Sequence, residues 1–324
     1  MKRKKKTGYV CYDYEAAYAD EIREKEIERE RQKLPAGSVY ALKEIRSGPI
    51  LELNLYPEHR RMSEVPPEGR KPKKDNSKAQ RDLNEKNARK HLERLVNANF
   101  GEGDLWITFT YDEEHLPGTM EEAVKNMQRY IQRVNYQRKK RGLPAAKYIY
   151  VTEHDEDTEV RWHHHIIMDG MMDRDTVEAC WKLRSRNTIK KIVPDDDGLS
   201  GMAKYITKDY KRKKHERRWN ASKGLKQPEI RTVHYKKPKG GTSAAAQRES
   251  DRKIRSYVTR MLKDRGEIEQ ICRAWYPDYI FAESQVFYNQ YNQLFYISCR
   301  MRRNKHGTET DKNDRARKHL PASG

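Results

Sequence analysis

Three stretches of the chain carry residue types that can do chemistry together. The first is Arg161-Trp162-His163-His164-His165-Ile166-Ile167-Met168. On a strand, residues two apart share a face. His163 and His165 therefore project together, with Ile167 continuing their row, and His164 turns to the other face. Two imidazoles side by side can chelate one divalent ion. Taken alone, the pair fits a chance His cluster at a strand edge equally well. The second stretch is Lys147-Tyr148-Ile149-Tyr150-Val151-Thr152-Glu153, in which Ile149, Val151 and Glu153 share a face. An antiparallel hairpin with the His strand would bring Glu153 level with the pair. Two imidazoles and a carboxylate leave open positions for water and a phosphate oxygen. That mixed donor set suits Mn²⁺ or Mg²⁺ and does not exclude Zn²⁺. His154 and Glu156 are alternative third ligands.

The third stretch is Gly201-Met202-Ala203-Lys204-Tyr205-Ile206-Thr207-Lys208. On a helix, Tyr205 and Lys208 are neighbours. A phenol is a poor nucleophile at its usual pKa of roughly 10. A cation beside it and a metal polarising the target phosphate make attack feasible. An isolated Tyr-x-x-Lys pattern is more often a packed tyrosine and a surface lysine. Around it lie Lys204, Lys208, Lys211, Arg212, Lys213, Lys214, Arg217, Arg218 and Trp219. Cations with an aromatic nearby suit single-strand tracking and base stacking, and a solvated helix end fits equally. Arg129, Arg133, Arg138, Lys139, Lys140 and Arg141 form a further basic face. Trp106, Trp162 and Trp181 read as core.

Composition narrows the partner. The chain has 324 residues, 35% hydrophobic and 36% charged, and Lys plus Arg exceed Asp plus Glu by 69 − 49 = 20. Such an excess raises the local concentration of polyanions, and nucleic acid is the leading partner. No apolar run is long enough to span a bilayer, and no apolar segment follows the basic start, so neither a membrane partner nor a secretory signal is expected. Cys11, Cys180, Cys272 and Cys299 lie far apart. They form no CxxC pair and suggest a reducing, cytoplasmic setting.

The elements that must position these residues follow from periodicity. Residues 15–33 read as a solvated helix, and Ile50–Tyr56 alternates as a half-buried strand. Pro57–Asn76 reads as a linker. Ser77 opens a helix that Asn97–Asp104 breaks. Leu105–Tyr111 is rich in β-formers and reads as a strand. A helix spans Met120–Arg141 and stops at Gly142. Strands follow over Lys147–Glu153 and Trp162–Met168. Their short connection argues for an antiparallel hairpin. A helix over Arg174–Leu183, a strand near Ile189–Val193 and a helix over Leu199–Lys213 complete an α+β core, an antiparallel sheet with packed helices. Beyond it, Pro228–Ala246 reads as a flexible linker and Arg252–Trp275 as helical. Residues Val286–Tyr288 and Leu294–Cys299 form a hairpin, and the tail from Arg302 reads as disordered. The expected division is residues 1–76 as N-terminal extension and linker, 77–227 as nuclease domain, and 228–324 as C-terminal region.

Motif order adds a resemblance. Phe109-Thr110-Tyr111-Asp112, then His163-His164-His165, then Tyr205-Ile206-Thr207-Lys208 resemble the three motifs of the HUH endonucleases, in particular the rolling-circle replication initiators of plasmids and phages. The resemblance covers roughly Ser77 to Lys214. It implies a ferredoxin-like or RRM-like palm with N- and C-terminal extensions. It implies His163 and His165 as ligands of Mn²⁺ or Mg²⁺, with Glu153 matching the acidic residue that precedes the His motif in many initiators. It implies Tyr205, assisted by Lys208, as the nucleophile that nicks single-stranded DNA at a replication origin. The product is a 5′-phosphotyrosine with a free 3′-hydroxyl. Thr110, Tyr111, Lys204, Lys211 and Arg212 are then the expected DNA contacts, and host replication proteins are candidate partners in a bacterial cytoplasm. Two departures stand out. The middle residue of the His motif is His164 rather than a hydrophobic one. The position four before Tyr205 is Gly201, so a single catalytic tyrosine is expected. An HUH transposase shares this motif order, and a non-catalytic nucleic-acid-binding protein on the same fold is the other reading.

Overall fold

The structure is a computed structural model that describes residues 39–58, 77–155, 160–183, 187–195, 197–206, 219–233, 244–289 and 294–304. The chain divides into two compact units, residues 92–227 and residues 1–91 with 228–324. Two antiparallel five-stranded sheets and six α-helices lie among the described residues, an α+β arrangement consistent with a palm-like fold. No described helix is long and apolar enough to cross a membrane.

The terminal segments together build one sheet. Strands β1 (Val39–Ser47) and β2 (Ile50–Glu58) form a hairpin. Helix α1 (Ser77–Asn99) follows and runs two residues past the Asn97 stop read from the sequence.

The central unit then begins. Strand β3 (Leu105–Thr110) alternates buried and half-buried positions along its length. Helix α2 (Met120–Lys140) starts where the Thr119 hydroxyl accepts a hydrogen bond from the Glu122 amide at 3.2 Å. It ends before Gly142, whose φ of 69° is the left-handed conformation that glycine adopts freely. Strands β4 (Tyr148–Asp155) and β5 (Val160–Met168) pair antiparallel, as the short connection predicts. Helix α3 (Arg174–Ala179) is shorter than the expected Arg174–Leu183, and β6 covers Thr188–Lys191. Helix α4 (Ser200–Tyr205) is described only to that point, and its expected continuation to Lys213 lies outside the described residues apart from Ile206. Strand β7 (Asn220–Ala221) closes the sheet, whose order is β6-β3-β5-β4-β7.

Both faces of this sheet are covered. On one, Leu105, Ile107, Phe109, Ile166 and Met168 pack against Met127, Tyr130, Ile131 and Val134 of α2. Fully burying each such side chain contributes about 1.5–3 kcal/mol. On the other, Ile149, Val151 and Ile167 pack against Leu92, Leu95 and Val96 of α1 and against Leu199, Ala203 and Ile206 around α4. This second face carries His163 and His165.

In the other unit, Glu229–Val233 is not part of a linker but strand β8, paired antiparallel with β1. The helical stretch expected over Arg252–Trp275 is two helices, α5 (Ala244–Lys263) and α6 (Arg265–Trp275). Asp264 separates them, and its carboxylate accepts from the Gly266 amide at 2.8 Å as the cap of α6. Strands β9 (Tyr279–Asn289) and β10 (Leu294–Arg303) are longer than the expected hairpin and extend it past Arg302. The sheet order is β8-β1-β2-β10-β9, and Leu51, Leu53 and Leu55 pack with Ile254, Val258, Ile268 and Trp275 of the two helices. The expected helix over 15–33, the Pro57–Asn76 linker (apart from Pro57 and Glu58, the end of β2) and the tail from residue 305 lie outside the described residues.

Candidate metal centre

Strand register assembles the centre. Glu153 of β4 is directly opposite His163 of β5, and Val151 is opposite His165. On the other side of β5, Thr110 is opposite His163 and Thr108 opposite His165. Strand parity then puts Glu153, His163, His165, Thr108, Thr110 and Trp106 on one face.

The ligand atoms of Glu153, His163 and His165 all lie within 4.8 Å of one another. The carboxylate Oε2 of Glu153 is 3.1 Å from Nε2 of His163 and 3.8 Å from Nε2 of His165. Each imidazole is oriented through its other nitrogen. Nδ1–H of His163 donates to the Arg161 carbonyl at 2.8 Å. A carbonyl only accepts, so this bond leaves Nε2 as the lone-pair nitrogen of the neutral ring. Nδ1 of His165 is 3.0 Å from the Thr108 hydroxyl. Such outer partners fix ring orientation at metal sites.

The electrostatics fit a cation. Glu153 is 2% exposed, and its Oε1 has no hydrogen-bond partner. A buried carboxylate oxygen left unpaired is costly, and a bound ion would satisfy it. Burial by itself disfavours the charged form of His163. The hydrogen bond to Glu153, the Arg161 carbonyl and the Glu153 charge outweigh it and raise the pKa above the ordinary value. The site thus holds a proton where a metal ion would displace it. Two imidazole nitrogens and one carboxylate are a donor set for a divalent first-row ion or Mg²⁺.

His164 belongs to the opposite face. It is fully buried, with Nε2 2.7 Å from the Tyr111 hydroxyl and Nδ1 3.0 Å from the Thr152 hydroxyl. Burial, then the neighbouring His163 and His165, lower its pKa to about 3. It is a neutral packing residue and stands in for the hydrophobic residue usual at the motif's centre. Tyr111 is correspondingly 2% exposed in the core under α2. The expected DNA contact at Tyr111 is therefore corrected: its hydroxyl serves His164, and burial raises its pKa.

Tyr205 ends α4 and is 46% exposed. Its helix is anchored beneath: Ser200 and Ala203 are buried, as is Ile206 just after Tyr205. The Leu199 amide donates to Asn97 Oδ1 at 2.9 Å, and Asn97 Nδ2 donates to the Ser200 hydroxyl at 3.3 Å. The phenol ring meets His165 edge-on, centroids 5.2 Å apart, and Trp106 likewise at 5.9 Å. Lys204 is exposed beside it. Lys208, Lys211 and Arg212 lie outside the described residues, as does Glu156. His154 turns away from the cluster, its ring 4.1 Å from that of Trp162.

Two neighbours of the site were not expected. Trp106 is half-buried on the site face rather than in the core, stacked on His165 at 5.6 Å. Thr108 holds His165. The alternation of Leu105–Thr110 puts Trp106, Thr108 and Thr110 in one row. Only the pairing with β5 shows that this row faces the imidazoles.

Residues 104–210 match a family described as replication-associated protein of the ORF2 type, a match consistent with a rolling-circle Rep protein. The Glu153/His163/His165 cluster fits the HUH motif. No curated protein and no solved structure matches the chain.

Proposed function

We propose that this protein is a metal-dependent nuclease that nicks and rejoins single-stranded DNA at a replication origin and so initiates rolling-circle replication. We assign the reaction to the segment 77–227. The observation that carries this reading is the convergence of Glu153, His163 and His165 beside the exposed ring of Tyr205. The family match over residues 104–210 supports the replication context, because that family is named for replication.

Glu153, His163 and His165 would hold Mn²⁺ or Mg²⁺, and the bound ion would polarise a non-bridging phosphate oxygen of the strand to be cut. The Tyr205 phenol oxygen attacks phosphorus. An oxygen–phosphorus bond forms to Tyr205 as the bond to the 3′-oxygen breaks. The phenol proton passes to water, and the leaving 3′-oxygen takes up a proton from water. The products are a 5′-phosphotyrosine and a free 3′-hydroxyl, which primes synthesis. Rejoining is the reverse attack by a 3′-hydroxyl. Lys208 is three residues beyond Tyr205, where a cation lowers the cost of phenolate. Thr110, Lys204, Lys211 and Arg212 supply contacts to the strand.

The test is incubation of the full-length protein with single-stranded origin oligonucleotides and Mn²⁺ or Mg²⁺. A covalent protein–DNA adduct is expected, absent in Tyr205→Phe and in metal-free buffer. An adduct that persists in Tyr205→Phe moves the nucleophile. No adduct with any oligonucleotide of the origin region rejects the nuclease in favour of a binding protein.

A further inference from the structure

Helix α2 carries a charge pattern that its packing does not explain. From Ala123 to Arg141 the chain has no Asp or Glu and has Lys125, Arg129, Arg133, Arg138, Lys139, Lys140 and Arg141. The structure separates these cations by role. Arg138 is buried, donating to Asp169 at 2.7 Å and to the Pro144 carbonyl. Arg133 donates from Nε to the Cys180 carbonyl, and Arg141 reaches the Thr176 hydroxyl, both towards α3. Lys125, Arg129, Lys139 and Lys140 remain exposed. No carboxylate among the described residues pairs with any of them. Tyr136 lies among them, 57% exposed, with the Lys140 ammonium 4.7 Å from its ring centre.

Like charges one turn apart cost helix stability, and solvated helices normally intersperse acids to offset them. Other exposed helices of this chain do so. Glu85 pairs with Arg89 on α1, and Glu269 with Arg273 on α6. Helix α2 accepts the repulsion along its whole outer face. An anionic partner would relieve it.

We propose that the outer face of α2 is a second nucleic-acid surface, one that binds the phosphate backbone of duplex DNA without reading sequence. The core face of α2 packs under the sheet face opposite to His163 and His165, so this surface is separate from the metal centre. Its shape selects the form of DNA. It is a convex row with a single aromatic, whereas single strands call for a groove with successive stacking rings. From Lys125 to Lys140 the row is about 22 Å long at helical rise. That length overlies roughly six base pairs of duplex. The proposal goes beyond the nicking reaction and does not depend on it: duplex held behind the site would keep the substrate strand's flanks near the metal centre.

The test measures binding of the full-length protein to random-sequence duplex and single-stranded oligonucleotides over a salt series. The variant K125Q/R129Q/K139Q/K140Q keeps helix-forming residues. Each lost phosphate contact lowers the slope of log affinity against log salt by about 0.9. A drop of roughly 3 to 4 is therefore expected on duplex, with single-strand binding and nicking of single-stranded oligonucleotides unchanged. The control variant R252Q/K253Q/K263Q/R265Q, which removes as many charges from α5 and α6, should leave the duplex slope in place. An unchanged slope in the α2 variant overturns the proposal. So does an equal loss on single strands, or an equal loss in the control. Failure of nicking in the unaltered protein bears only on the nuclease reading.

Discussion

The indole of Trp106 lies over the imidazole of His165, ring centroids 5.6 Å apart and planes 24° from parallel, and its edge meets Tyr205. One side chain thus touches both a candidate metal ligand and the candidate nucleophile. Trp106→Ala would leave His165 and Tyr205 without their common wall. Loss of positioning on this scale costs about 10- to 100-fold in turnover. Trp106→Phe retains a ring and should recover most of it. The measurement is single-turnover nicking with both variants. Equal activity in Trp106→Ala and the parent would show that the indole positions nothing.

Metal binding can be read without any nicking. An ion that binds only the folded state raises the melting temperature, by RT ln(1 + [L]/Kd) in free energy. At 100 times Kd this is about 2.7 kcal/mol. Mn²⁺ should therefore raise the melting temperature of the parent, and the shift should vanish in His163→Ala and His165→Ala. In Glu153→Gln it should shrink sharply, because a carboxamide keeps the shape and loses the charge. A full shift in Glu153→Gln would remove Glu153 from the ligand set.

Much of this site is legible in the sequence because strand parity and a short hairpin are local rules. The face shared by His163 and His165, the level of Glu153 and the helix over Met120–Lys140 all follow from spacing within a few tens of residues. What is not legible depends on distant pairing. Strand β1 breaks its apolar alternation with Lys43, Glu44 and Arg46, and Glu44 is buried all the same, its carboxylate 3.2 Å from Arg46. Strand β8 follows Pro228 and precedes a Lys-rich stretch, so its composition reads as linker. Its partner β1 is nearly the whole central unit away in sequence. Trp106 has the composition of a core residue, and only its pairing opposite Ile167 puts it on the site face.

His164 makes acid sensitivity a stability matter. Its pKa is about 3 in the folded chain, against roughly 6.5 when unfolded. The unfolded state therefore binds the proton more readily. The contribution is fully present above about 6.5 and is lost as pH falls towards 3, at about 1.4 kcal/mol per pH unit. Denaturant melts of the parent at pH 7.5, 6 and 5 should show this limb, about 2 kcal/mol lost by pH 5. The limb should be absent from His164→Gln, whose amide does not titrate. His164→Gln should also begin less stable, since Thr152 and Tyr111 lose the fitted imidazole. Parallel pH curves for the two proteins would place the acid sensitivity elsewhere.

The ion pair of Arg138 and Asp169 closes the end of the central sheet away from the metal. Their side chains are 1% and 11% exposed, with Nη2 and Oδ1 2.7 Å apart. Asp169 also accepts from the Lys147 amide at 2.6 Å, at the start of β4. Removing one partner leaves a buried charge uncompensated, which costs about 3–5 kcal/mol. Asp169→Ala should therefore destabilise the chain by that order in denaturant melts. Replacing both, Arg138→Met with Asp169→Ala, should recover a large part of the loss, because no lone charge remains. Equal destabilisation in the single and double variants would mean that the Lys147 amide contact, not the ion pair, is what Asp169 contributes.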